Sequence, residues 1–127
     1  ENGMKRCSVF ALLLLVLLPA LVAAQQTNRQ PAVPSHSPTA SVAGTTWAGK
    51  DSDGDYYEYH FQADGALHYK SPGGFYKNGT WEQDGDAIYM ETNKKFSERQ
   101  GRISGTRMEG KAWNIKGQKW TWAADKK

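Results

Sequence analysis

From residue 45 onward apolar and polar side chains alternate with a period of two, which marks strands rather than helices. The pattern is plainest between Tyr56 and Tyr69. Tyr57, Tyr59 and Phe61 alternate with Tyr56, Glu58, His60 and Gln62. After Ala63-Asp64-Gly65, Leu67 and Tyr69 alternate with Ala66, His68 and Lys70. Asp64-Gly65 supports a tight reversal, because Gly takes positive φ without a Cβ clash and Asp bonds its own backbone. A three-residue loop closing on Gly65 pairs Phe61 with Leu67, Tyr59 with Tyr69 and His60 with His68. A two-residue loop would turn His68 and Lys70 inward, which burial penalises, so the first register is expected.

Turn signals then recur at Asp51-Ser52-Asp53-Gly54-Asp55, Ser71-Pro72-Gly73-Gly74, Asp84-Gly85-Asp86, Asn93-Lys94-Lys95, Ser104-Gly105-Thr106 and Lys116-Gly117-Gln118. They bound eight segments: 45–50, 56–62, 66–70, 75–82, 87–92, 96–103, 107–115 and 119–124. Short loops force consecutive strands to be antiparallel neighbours. The expected fold is therefore all-β, an eight-stranded antiparallel up-and-down meander closed into a small barrel over 45–125, with a flattened barrel or two-sheet sandwich as the alternative.

Alternation places Trp47, Gly49, Tyr57, Tyr59, Phe61, Leu67, Tyr69, Phe75, Met108, Gly110, Ala112, Trp120 and Trp122 on the inner face. Trp81 is expected inward with Ile88 and Met90, because that choice buries the most apolar area. Trp113 and Ile115 fall opposite Met108, so either a bulge intervenes or Trp113 is a surface aromatic.

The N-terminal part has another character. Lys5 and Arg6, the apolar run Val9 to Val22 and the small residues Val22-Ala23-Ala24 form the pattern of an export signal over 4–24. Residues 25–44 carry Pro31, Pro34 and Pro38 among Ser, Thr and Gln without apolar periodicity, the composition of a disordered spacer. Export implies a secreted or periplasmic protein without an integral membrane segment once the signal is removed. The one cysteine, Cys7, lies in the signal, so no disulfide or thiolate site is expected in the mature chain.

Candidate chemistry is sparse. A His60–His68 cross-strand pair with Glu58 on the same face offers the most specific metal geometry, but without a fourth ligand it reads as a polar outer face, and neither a metal nor another cofactor is implied. Asp51 to Asp55 lacks the terminal Glu and flanking helices of a calcium loop. No nucleophile has a base and an orienting group around it, and the carboxylates concentrate in turns, so catalysis is the minority reading. The net charge of +3 conceals an asymmetry. Residues 45–93 carry three lysines against nine acids, a net of −6, and residues 94–127 carry ten bases against three acids, a net of +7. One side of the barrel should be acidic and the other basic, which admits an anionic envelope surface as partner. Export argues against nucleic acid.

Gly44-Thr45-Thr46-Trp47 resembles the Gly-x-Trp opening of lipocalin-type, or calycin, barrels. Gly79-Thr80-Trp81-Glu82, Gly105-Thr106-Arg107-Met108-Glu109-Gly110 and Trp120-Thr121-Trp122 resemble pieces of small secreted bacterial lipocalin-like domains of unassigned activity. The resemblance implies a barrel with a ligand in its mouth. The expected function is a non-catalytic binding module for a small apolar or aromatic ligand, with Trp47, Tyr57, Tyr59, Tyr69, Trp81, Trp120 and Trp122 as its wall. Gly49, Gly79, Gly110 and Ala112 would make the space. The alternatives are a ligand-free envelope or interaction domain using its charged faces, and, third, a metal-dependent activity at the His pair.

Overall fold

A computed structural model gives the structure of residues 37–127. The export signal expected over 4–24 and the spacer up to residue 36 lie outside the described residues. The segments between turns form eight strands: β1 Thr46–Lys50, β2 Tyr56–Phe61, β3 Ala66–Ser71, β4 Gly74–Asp84, β5 Ala87–Thr92, β6 Ser97–Ser104, β7 Arg107–Asn114 and β8 Lys119–Lys126. Each pairs antiparallel with the next, and β8 returns to β1, so the meander closes into a barrel. Among the described residues no helix is long and apolar enough to cross a membrane.

The first hairpin has the register that its turn demands: Phe61 opposite Leu67, Tyr59 opposite Tyr69, His60 opposite His68. Gly65 sits at φ 87°, the left-handed conformation that closes the loop. Trp47, Tyr59, Phe61, Leu67, Tyr69, Ile88, Met90, Met108, Ala112 and Trp122 are buried inside the barrel, with Trp81 packed against them. Trp81, Ile88 and Met90 thus point inward together.

Phe75 is the correction. It is 52% exposed on the outer face, where its ring meets His60 and His68 edge-on at centroid distances of 5.8 and 6.2 Å. A register shift between Leu67 and Tyr69 is the cause: Leu67 faces Gly79 but Tyr69 faces Tyr76, so parity changes by one residue along β4. Tyr76 therefore takes the inner position, stacked on Tyr69 at 5.5 Å. β7 has no such irregularity, and its unbroken pairing leaves Trp113 on the outside, with Ile115 75% exposed beyond it.

The expected space-makers do not open a cavity. A Cβ on Gly110 would lie 1.9 Å from the Gln100 carbonyl oxygen, and one on Gly79 would lie 2.7 Å from that of Glu91. These glycines let coiled strands approach closely, and aromatic rings fill the lumen.

One end of the barrel is closed by residues that composition assigns to the spacer. Val42 is 2% exposed, and its N–H donates to Gln83 Oε1 at 2.9 Å, while Gln83 Nε2 donates to the Ala40 carbonyl at 3.0 Å. Gly44 N–H bonds the Phe61 carbonyl at 2.7 Å. One isolated Val among Ser, Ala and Gly gives no periodic signal, so this plug is invisible to pattern reading. The opposite end carries the 51–55, 72–73, 93–96 and 115–118 connections and is open.

Candidate functional site

The open end is built on β1, β2, β6 and β8. Alternation along β1 carries past Lys50 to Asp51, which bridges to Trp122 of β8 and is 5% exposed. Alternation along β6 gives Arg99 the same inward facing as Ile103, and Arg99 is 1% exposed. The two charges meet: Arg99 Nη2 donates to Asp51 Oδ2 at 2.9 Å, and Trp120 Nε1 donates to the same oxygen at 2.6 Å. The Arg99 guanidinium lies over the Tyr57 ring at 4.5 Å and within 5.7 Å of the Tyr59 and Trp120 rings, a cation enclosed by aromatic faces.

Asp51 Oδ1 and Arg99 Nε are buried without a hydrogen-bond partner. Each partner of the ion pair thus retains one unmet polar group, an arrangement that costs free energy unless a further polar group reaches it. Burial raises the Asp51 carboxyl above its ordinary value, outweighing the lowering by the Arg99 charge and the Trp120 N–H. Burial likewise opposes the Arg99 charge, but the surrounding Tyr59, Asp51 and Tyr57 hold the guanidinium protonated.

Above Asp51 lies an opening of about 500 Å³, bounded by Ser52, Asp53, Tyr57, Phe96, Ser97, Asn114, Gln118, Lys119 and Trp120. A smaller recess of about 260 Å³ adjoins it through Tyr57, Phe96 and Ser97 and reaches Tyr69 and Tyr76. Its rim is conformationally costly. Asn93, Lys94 and Lys95 occupy left-handed φ values of 53°, 52° and 67°, which L-residues adopt reluctantly. The turn is held by the Asn93 N–H donating to Tyr69 Oη at 2.9 Å, by the Lys94 N–H donating to the Asn78 carbonyl at 3.1 Å, and by Tyr69 Oη donating to Asn78 Oδ1 at 2.7 Å.

The seven aromatic residues expected to form a ligand wall divide in two. Tyr57 and Trp120 line the larger opening, and Tyr57 and Tyr69 the smaller recess. Trp47, Tyr59 and Trp122 are lumen packing, with Tyr59 edge-on to Trp122 at 6.0 Å. Trp81 belongs to the closed end, where its Nε1 donates to the Gln62 carbonyl at 2.9 Å. Asp51, expected only as part of an acidic turn, joins the site together with Phe96 and Arg99, for which the sequence suggests no functional role. Period two along β1 and β6 is the signal that points to the two charges.

His60 and His68 are neighbours across β2 and β3, but Phe75 packs against both rings and His60 Nε2 is 2.9 Å from Glu58 Oε1. Among the described residues no three His, Cys, Asp or Glu side chains converge as metal ligands. Asp53 serves its own loop, accepting the Asp55 N–H at 3.1 Å.

No protein-family model matches the chain, and comparison with curated proteins and with solved structures gives no match.

Proposed function

We propose that this protein is an exported, non-catalytic, lipocalin-like barrel that binds one small aromatic molecule in its open mouth. The observation that carries the reading is Asp51, nine-tenths buried, with one oxygen bonded to Arg99 and Trp120 and the other unpartnered beneath an aromatic-rimmed opening. Tyr57, Phe96 and Trp120 supply ring faces, and Asp51 Oδ1 supplies an acceptor for an N–H or O–H on the ligand's edge. The filled lumen favours the mouth over the barrel centre as the binding place. The export pattern at 4–24 supports a secreted or periplasmic location for the barrel.

Tryptophan fluorescence of the purified protein, titrated with a library of small aromatic compounds with and without N–H donors, tests this. Saturable one-to-one quenching by donor-bearing compounds is expected, weakened in Trp120→Phe and in Asp51→Asn under conditions where both variants keep a cooperative thermal transition. A folded protein whose fluorescence no compound alters in a saturable way would overturn the reading.

A further inference from the structure

The outer face of β6, β7 and β8 is a regular grid. Glu98, Trp113 and Lys119 form one cross-strand row, Gln100, Lys111 and Thr121 the next, and Arg102, Glu109 and Ala123 the third. The β1–β8 register, which pairs Ala48 with Asp125 and Asp51 with Trp122, sets Lys50 beside Ala123. Thr121 and Ala123 are short, so β8 forms the floor of a trough. Lys111 and Trp113 rise on one side and Lys50 on the other. Two hollows of about 440 and 680 Å³ run along it and share Lys111 and Thr121. Strands lie roughly 4.8 Å apart, so Lys50 and Lys111 flank the floor at about 10 Å.

The charges along the trough are unevenly satisfied. Arg107 is held by Glu109 and Asp125 at one end, and Arg102 by Asp86. Lys50, Lys111 and Lys119 have no acidic partner among the described residues. Trp113 is fixed edgewise, its Nε1 donating to Glu98 Oε2 at 2.9 Å, which leaves the indole as a set wall rather than a mobile side chain.

We infer that this trough binds a linear acidic polysaccharide. A pyranose ring lays its C–H face on an indole while its carboxylates reach outward to cations, and Gln100 and Thr121 supply hydrogen bonds for hydroxyls. A chain of uronates meets Trp113 and Lys119 at one end of the trough and Lys111 and Lys50 along it. The trough is concave, its aromatic is tied down and its floor carries a hydroxyl, features that fit a strand of sugar better than a bilayer, which engages protruding apolar side chains. One aromatic in a lysine-lined channel also falls short of the repeated stacking platforms of single-stranded nucleic acid sites. The trough adjoins the mouth, sharing Ser52, Lys119 and Trp120 with its rim, but Lys50, Lys111 and Trp113 border no part of that opening.

Isothermal titration of the full chain with oligogalacturonate of defined length, with neutral dextran and phosphatidylglycerol vesicles in parallel, tests the inference. Saturable binding to oligogalacturonate and none to dextran is expected, weakening about tenfold between low and physiological salt as counterion release by two or three lysines requires. Lys50→Gln/Lys111→Gln should lose tenfold or more, Trp113→Ala should lose affinity at unchanged charge, and Lys70→Gln/Lys77→Gln should match the parent. Failure to bind oligogalacturonate overturns the inference. So does binding that neither the paired lysine change nor Trp113→Ala weakens, or vesicle binding without saccharide binding.

Discussion

Trp120 donates its indole N–H to Asp51 Oδ2 at 2.6 Å, joining residues 69 positions apart in the chain. The same carboxylate oxygen takes Arg99 Nη2, so one buried atom ties β1, β6 and β8 together at the open end. A buried ion pair is weak support for stability as a pair, because desolvation offsets the Coulomb gain. Breaking it from one side is another matter.

Asp51→Ala leaves the Arg99 guanidinium buried and uncompensated, and should destabilise the barrel by about 3–5 kcal/mol. Adding Arg99→Met removes the stranded charge and should restore a large part of that loss. Urea denaturation of both variants and the parent measures it. Equal destabilisation in the single and double variants would show that the charge is not the cause.

Gly101→Ala puts a Cβ 2.3 Å from the Glu109 carbonyl oxygen and 2.9 Å from Trp122 Cζ2. The first contact is backbone and cannot rotate away, so the expected cost is about 1–3 kcal/mol of overpacking, with a weakened Tyr59–Trp122 near-ultraviolet dichroism signal. Unchanged thermal stability would mean that β6 and β7 can separate without loss.

The Glu98 and Asp51 carboxyls are shifted in opposite senses. The hydrogen bond from the Tyr89 hydroxyl, helped by the Trp113 N–H and the Lys95 charge, holds the Glu98 carboxyl below its ordinary 4.5. Its stabilising contribution is therefore full above that ordinary value and disappears as pH falls through the lowered one. Burial raises the Asp51 carboxyl against the lowering by Arg99 and Trp120, a shift opposite in sign to that of Glu98. Thermal melts of Glu98→Gln should lie below the parent at neutral pH and converge with it as pH falls past the lowered Glu98 value. A difference that persists unchanged at low pH would assign the effect to packing instead.

Much of the fold was legible because turn chemistry and period two agree. Asp64-Gly65 set the first register, and Ile88 and Met90 carried enough apolar area to turn Trp81 inward. Phe75 was misplaced because a one-residue bulge in β4 leaves no mark in composition, yet it exchanges the faces of every residue beyond it. The site was harder to read. Asp51 sits among loop acids and Arg99 among basic residues, and burying either alone is prohibitive. Only folding brings these partners, 48 residues apart, within reach of each other. Tyr57 and Trp120 were anticipated as aromatic residues of the inner face, but neither announces the carboxylate between them.

Every ladder in this barrel except one joins strands that are consecutive in the chain. The exception, β1 on β8, aligns only Trp47 with Lys126 and Ala48 with Asp125, supplemented by the Asp51–Trp122 bridge and the Lys127 N–H donating to the Thr46 carbonyl at 3.0 Å. Local hairpins form at small loop-closure cost, whereas this join must bring together the two ends of the meander. Folding can thus be viewed as a row of staves assembled neighbour by neighbour and hooped by one late event. Asp51, which grips β8 through Trp120 and Trp122, is the clasp of that hoop, so the residue that gives the mouth its chemistry also keeps the cylinder from unrolling.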